Sequence, residues 1–134
     1  MAIENLINIE LQSHFLRLYQ MACADEHFDV LEMKQLYKFA EQRGLATEHL
    51  HHLLVNPVQQ LEIPASIEKK VEYLYDLAVM IWADSQVTDD ELHLLKKYSK
   101  VFGFLEENID QLCDYLINCA KEDKPLQDVL DTII

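Results

Sequence analysis

Two stretches of this 134-residue chain gather carboxylates at matching spacing. The first is Ala24-Asp25-Glu26-His27-Phe28-Asp29-Val30-Leu31-Glu32 and the second is Ala83-Asp84-Ser85-Gln86-Val87-Thr88-Asp89-Asp90-Glu91. Acids grouped in this way have two kinds of chemistry open to them. One is hydrogen bonding to their own backbone. Thr88-x-x-Glu91 has the form of a capping box, Asp29-x-x-Glu32 is its Asp counterpart, and Phe28 and Val87 stand where a hydrophobic staple would sit. The other is ligation of a hard divalent cation, with Asp25, Glu32, Asp84 and Glu91 as the candidate ligands. Asp25 and Asp84 each follow a helical segment, where the helix dipole disfavours an anion. The amides of an Asx-turn would offset that as well as a cation would. Each loop by itself is short of the six or more oxygens that Ca²⁺ takes, so one ion would require the two loops to meet. Neither loop has the ligand spacing or the central Gly of an EF-hand.

Other reactive side chains carry less. Glu48-His49-Leu50-His51-His52 is the densest histidine group. Its spacings of three and four place His49, Glu48 and His52 near one helix face, which fits a solvated helix end better than a zinc site needing three or four ligands. It lacks the His-Glu-x-x-His metalloprotease pattern. His14, His27 and His93 are scattered and are expected at the surface or in caps. Cys23, Cys113 and Cys119 are odd in number and badly spaced for a disulfide framework or a cysteine zinc site, so buried free thiols are expected. Tyr75 and Trp82, seven apart, share a helix face and are expected to pack in the core. There is no Gly-x-Ser-x-Gly elbow, and no glycine-rich phosphate loop, because the only two glycines are Gly44 and Gly103. That argues strongly against a nucleotide enzyme, and no catalytic residue or enzyme activity is expected.

The elements that position the acids come from an internal repeat. At a constant offset, Leu18, Met21, Ala24, Asp25, Glu32, Leu36, Lys38 and Gly44 match Leu77, Met80, Ala83, Asp84, Glu91, Leu95, Lys97 and Gly103. Each copy reads as a long amphipathic helix, an acidic corner, a second helix closed by Gly, and a third helix packed back. The first helices are expected over 3–24, with Ile7, Leu11, Phe15, Leu18 and Ala22 inward, and over 65–83, with Ile67, Val71, Leu74, Ala78 and Ile81 inward. Pro64 just precedes the latter. The second helices are expected over 30–43 and 89–102. The third are expected over 47–55, ending at Asn56-Pro57, and over 106–121. A turn or short helix is expected over 57–63, and Pro125 opens a last helix reaching Ile133. The expected fold is all-α, seven to eight helices in one bundle over 1–134, with repeats over about 3–63 and 64–134. Neither repeat alone buries much core, so the two are expected to pack into one domain.

The pattern Ala-Asp-x-x-apolar-x-x-x-Glu, present twice on a helical scaffold whose second helix ends in Gly, resembles the TerB-like domain. That family is known from tellurite-resistance operons and from the N-terminal region of a membrane-associated J-domain co-chaperone. The resemblance covers about 15–45 and 74–104. Glu26 and Ser85 stand where the family pattern has Gly after the Asp. The resemblance implies an all-α, non-enzymatic module linked to stress response. It also implies that Asp25, Glu32, Asp84 and Glu91 are the positions proposed to hold metal in the family.

Charge narrows the partners. The chain has 24 acidic and 11 basic residues, a formal net charge of −13. Such a surface repels phosphate, so neither nucleic acid nor an anionic membrane surface is expected as a partner. A basic protein surface is the partner that fits, and homo-oligomers are compatible with the sequence. Met1-Ala2-Ile3-Glu4-Asn5 lacks a basic n-region, and no apolar run is long enough to span a bilayer, so a cytoplasmic protein without membrane insertion is expected. No cofactor is required by the sequence; a divalent cation is the alternative the acidic corners leave open.

Overall fold

Sparse glycine and proline leave long stretches free to be helical, and Gly44 and Gly103 stand just past two of the helix ends. The structure, a computed structural model, describes residues 2–24, 30–56 and 60–134, with side chains from residue 9 onward. Among these residues there are seven helices and no strand: α1 (Ala2–Ala22), α2 (Val30–Gln42), α3 (Thr47–Val55), α4 (Ile67–Trp82), α5 (Asp89–Val101), α6 (Glu106–Lys121) and α7 (Leu126–Ile133). The chain is therefore an all-α bundle, and none of its described helices is long and apolar enough to cross a membrane.

Helix α4 is the hub. It buries Val71, Leu74, Leu77, Ala78, Met80 and Ile81 together with Tyr73, Tyr75 and Asp76. A helix buried on more than one face must be covered from several sides, and α4 packs against α1, α2, α5, α6 and α7. Its start differs from the expected one. The helix begins after Ser66, whose side chain accepts a hydrogen bond from the Lys69 amide at 3.1 Å, so Ser66 rather than Pro64 sets the boundary. Ile67, expected inward, is exposed in this first turn. On α1, Phe15, Leu18, Met21 and Ala22 are buried as the periodicity requires, and Leu11 is partly buried.

Both glycines close helices. Gly44 has φ 71° and Gly103 has φ 96°, in the left-handed region that a Cβ disfavours. Around them the amides of Leu45 and Phe104 donate back to the carbonyls of Ala40 and Ser99 at 2.9 and 3.1 Å, the six-to-one bond of a Schellman end. Helix α6 ends in the same way on a non-glycine. Asp123 has φ 54°, and the Lys124 amide donates to the Cys119 carbonyl at 3.0 Å. Tyr75 of α4 then donates its hydroxyl to the Lys124 carbonyl at 2.5 Å, tying that end to the hub.

The segment between α3 and α4 is pinned to α1. The Glu62 amide donates to Ser13 Oγ at 2.8 Å, and Arg17 donates to the Glu62 carbonyl at 2.9 Å. The Arg17 guanidinium also lies over the Phe102 ring, 5.0 Å from its centroid, so a cation on the buried face of α1 is covered by an aromatic. The expected turn at 57–63 falls partly on 57–59, outside the described residues; Leu61, Glu62 and Ile63 are not helical.

Candidate functional site

The four carboxylates singled out from the sequence have different surroundings. Asp25 lies outside the described residues. Glu32 and Glu91 are the third residues of α2 and α5, and each is 1 % exposed. Glu91 completes the expected capping box. Its Oε1 accepts from the Thr88 amide at 3.0 Å and from the Thr88 hydroxyl at 2.9 Å, while Thr88 Oγ1 accepts from the Glu91 amide at 3.2 Å. Asp84, half-buried just past the end of α4, accepts from the Gln86 amide at 3.0 Å, which is an Asx-turn. Ser85 between them has φ 61°, a left-handed backbone on a non-glycine residue. Glu32 lies near Cys23, whose thiol is pushed up by partial burial first and by that carboxylate as well. Among the described residues, no three His, Cys, Asp or Glu side chains gather as a metal site.

A second constellation, not read from the sequence, lies where α1, α4 and the end of α2 meet. His14 of α1 is fully buried, and its Nε2 is 2.8 Å from Asp76 Oδ2 of α4. Arg43, just past α2, donates to the same Asp76 oxygen and, at 3.0 Å, to Glu72. Lys69 donates to the other oxygen of Glu72 at 3.2 Å. Tyr73 stacks on the imidazole with ring centroids 3.8 Å apart and an interplanar angle of 6°, and Phe15 meets it edge-on at 5.7 Å.

The protonation states follow from donor and acceptor capacity. A carboxylate only accepts, so the His14 Nε2 carries the proton and donates it to Asp76. His14 Nδ1 is buried and finds no hydrogen-bond partner among the described residues. Burial lowers the His14 pKa; the hydrogen bond to Asp76 and that group's charge push the other way without overcoming it. Burial alone would raise the Glu72 carboxyl, but the hydrogen bonds from Arg43 and Lys69 and their charges outweigh it and hold it low. Tyr73 is pushed up to about 12, mainly by burial, so its hydroxyl keeps its proton. With His14 neutral, two carboxylates face two cations and the cluster is electrically balanced.

His14 was expected at the surface or in a cap and is instead in the core. Its position carried a local signal: it lies three residues after Leu11 and four before Leu18, on the apolar stripe of α1. Asp76 likewise stands inside the apolar run Tyr73-Leu74-Tyr75-Asp76-Leu77-Ala78. A charged residue in such a run has a partner when it is buried. Cys23 is also a correction, because it is exposed, whereas Cys113 and Cys119 are buried as expected. His49, His51 and His52 are exposed, and His51 is 2.7 Å from the Tyr37 hydroxyl.

Comparison of the chain with known protein families, curated proteins and solved structures finds no match.

Proposed function

We propose that the chain is a TerB-like helical module that acts in a stress response by binding a protein partner, not by catalysing a reaction. One observation carries this reading. Glu32 and Glu91 hold the same place, third in a helix that follows an acidic corner, both are buried, and each helix ends on a left-handed glycine. An acid at that place and a Gly closing the helix, in both halves, are what the resemblance to the TerB-like family rests on. The contact surface in this reading is the pair of corners. Val30 and Leu31 at the first and Val87 at the second are exposed apolar side chains, close in sequence to Asp29 and to Asp84, Asp89 and Asp90. A partner combining basic and apolar residues suits them, and the charge of −13 favours its approach. A cytoplasmic setting, as in a tellurite-type stress response, goes with the reading.

The test compares affinity capture by the wild-type chain with capture by Val30→Asp/Val87→Asp. The reading expects a defined partner, identified by mass spectrometry, that is retained by the wild type and lost by the variant, with both proteins equally folded by circular dichroism. Identical capture by the two overturns it.

The second reading is divalent-cation binding by the same corners. The burial of Glu32 and Glu91, each seven residues after an Asp in the sequence, favours it. Calorimetry with Ca²⁺, Mg²⁺, Mn²⁺ and Zn²⁺ decides. Heat from the wild type that Asp25→Ala/Asp84→Ala abolishes supports it, and no heat removes it.

A further inference from the structure

The cluster joining α1 to α4 contains one titratable group whose second nitrogen finds no acceptor among the described residues. His14 is fully buried, its Nε2 is engaged by Asp76, and its Nδ1 finds no hydrogen-bond partner among the described residues. The groups facing it can be named element by element. Helix α4 supplies Asp76, Glu72, Lys69 and Tyr73. Helix α2 supplies Arg43 just past its end, while its buried Glu32 lies at the opposite end beside Cys23. Helix α3, also packed on α1, buries only Leu50 and Leu53 and keeps Glu48, His49, His51 and His52 exposed. On α1 itself, Glu10 is occupied by the Ala65 amide at 3.3 Å.

The charges of Asp76 and Glu72 are already balanced by Arg43 and Lys69 when the imidazole is neutral. A proton arriving at Nδ1 would add an unbalanced charge, on a nitrogen without an acceptor, under the stacked ring of Tyr73. Burying such a charge is far more costly than exposing it. We propose that this makes the α1–α4 contact an acid-sensitive latch, in which uptake of one proton by His14 accompanies release of α1 from the hub helix.

The direction follows from linkage. The released imidazole titrates near 6.5, its ordinary value, and the docked one lower, because burial lowers it more than Asp76 raises it. Above 6.5 neither state takes the proton and the latch is closed. Below 6.5 the released state takes it first, so release becomes more favourable, about fivefold over the first pH unit and approaching tenfold per unit further down, until the docked value is reached. The core side chains Phe15, Leu18 and Met21 keep the released state rare, so the measurement must read a minor population.

Hydrogen exchange of the full chain provides it, with protection corrected for the intrinsic pH dependence of exchange. The expected result is that α1 amides lose protection about fivefold across the pH unit below 6.5, while α6 amides keep theirs. His14→Gln, whose amide can still donate to Asp76 but does not titrate, should lose this slope. A flat α1 profile in the wild type, an equal slope in α6, or an equal slope in His14→Gln overturns the latch. Imidazole ¹⁵N shifts of the wild type provide a check that needs no variant. A neutral His14 protonated on Nε2 at pH 6.5 supports the latch, and a charged His14 at that pH overturns it.

Discussion

At the scale of single residues, Asp76 has more consequence than any other charged group described. It is one carboxylate oxygen shared by a buried imidazole and a guanidinium. Breaking such a pair from one side leaves the other charge buried and uncompensated, which costs about 3–5 kcal/mol for fully buried pairs. Arg43 keeps some solvent contact, with 18 % of its side chain exposed, so the lower end applies. Asp76→Ala should therefore lower stability by about 3 kcal/mol in urea denaturation. A loss below about 1 kcal/mol, the range of surface pairs, would mean that water replaces the carboxylate. The pH profile has two steps. The His14 contribution is whole above 6.5 and declines as pH falls below it, because the unfolded chain binds that proton first. The Glu72 contribution is present above 4.5 and is lost as pH falls through its lower folded value. Midpoints of urea unfolding across this range should fall first below 6.5 and again below 4.5. In His14→Gln only the second fall should remain.

At the scale of elements, the helix ends were legible and the helix contacts were not. Thr88-x-x-Glu91 and the two glycines act within a few residues of themselves, so their spacing alone specifies the geometry they adopt. Helices α3 and α6 run over the expected ranges, and the start of α4 shifted only because a local Ser cap overrode a nearby Pro. The His14–Asp76 bond joins residues 62 positions apart, and no local pattern encodes which buried acid a buried histidine will meet. The all-α class and the second corner were thus readable, whereas the polar cluster at the α1–α4 seam depends on how the helices pack. The second corner offers a matched pair of tests. Thr88→Ala removes the cap and should cost about 1 kcal/mol. Ser85→Gly relieves a side chain held at φ 61° and should stabilise, since left-handed backbone costs an L-residue about 1–2 kcal/mol and part of that is returned to unfolded-chain entropy. Gly44→Ala is the complement. A Cβ there meets nothing within 4 Å, so the loss, about 1 kcal/mol, is backbone strain alone. Thermal unfolding of the three variants checks the order: Ser85→Gly above wild type, the other two below.

At the scale of the whole molecule, two electrostatic effects of opposite sign compete at the surface. Exposed pairs such as Lys96 with Asp110 at 3.1 Å and Lys124 with Glu122 at 3.5 Å are weakened by salt. Against them stands the mutual repulsion behind a net charge of −13, which salt relieves. Acids outnumber bases 24 to 11, so most surface carboxylates have no cation to pair with and repulsion should win. Raising NaCl from about 0.02 M to about 0.5 M shortens the Debye length from about 20 Å to about 4 Å and should raise the melting temperature. A fall would show that the pairs outweigh the excess charge. The same titration separates screening from a bound ion. If CaCl₂ or MgCl₂ stabilises only as much as NaCl of equal ionic strength, the acidic corners act as caps in a screened field. Stabilisation beyond NaCl, saturating with concentration and absent from Asp25→Ala/Asp84→Ala, would instead place a cation at those corners, because a ligand stabilises only the state that binds it.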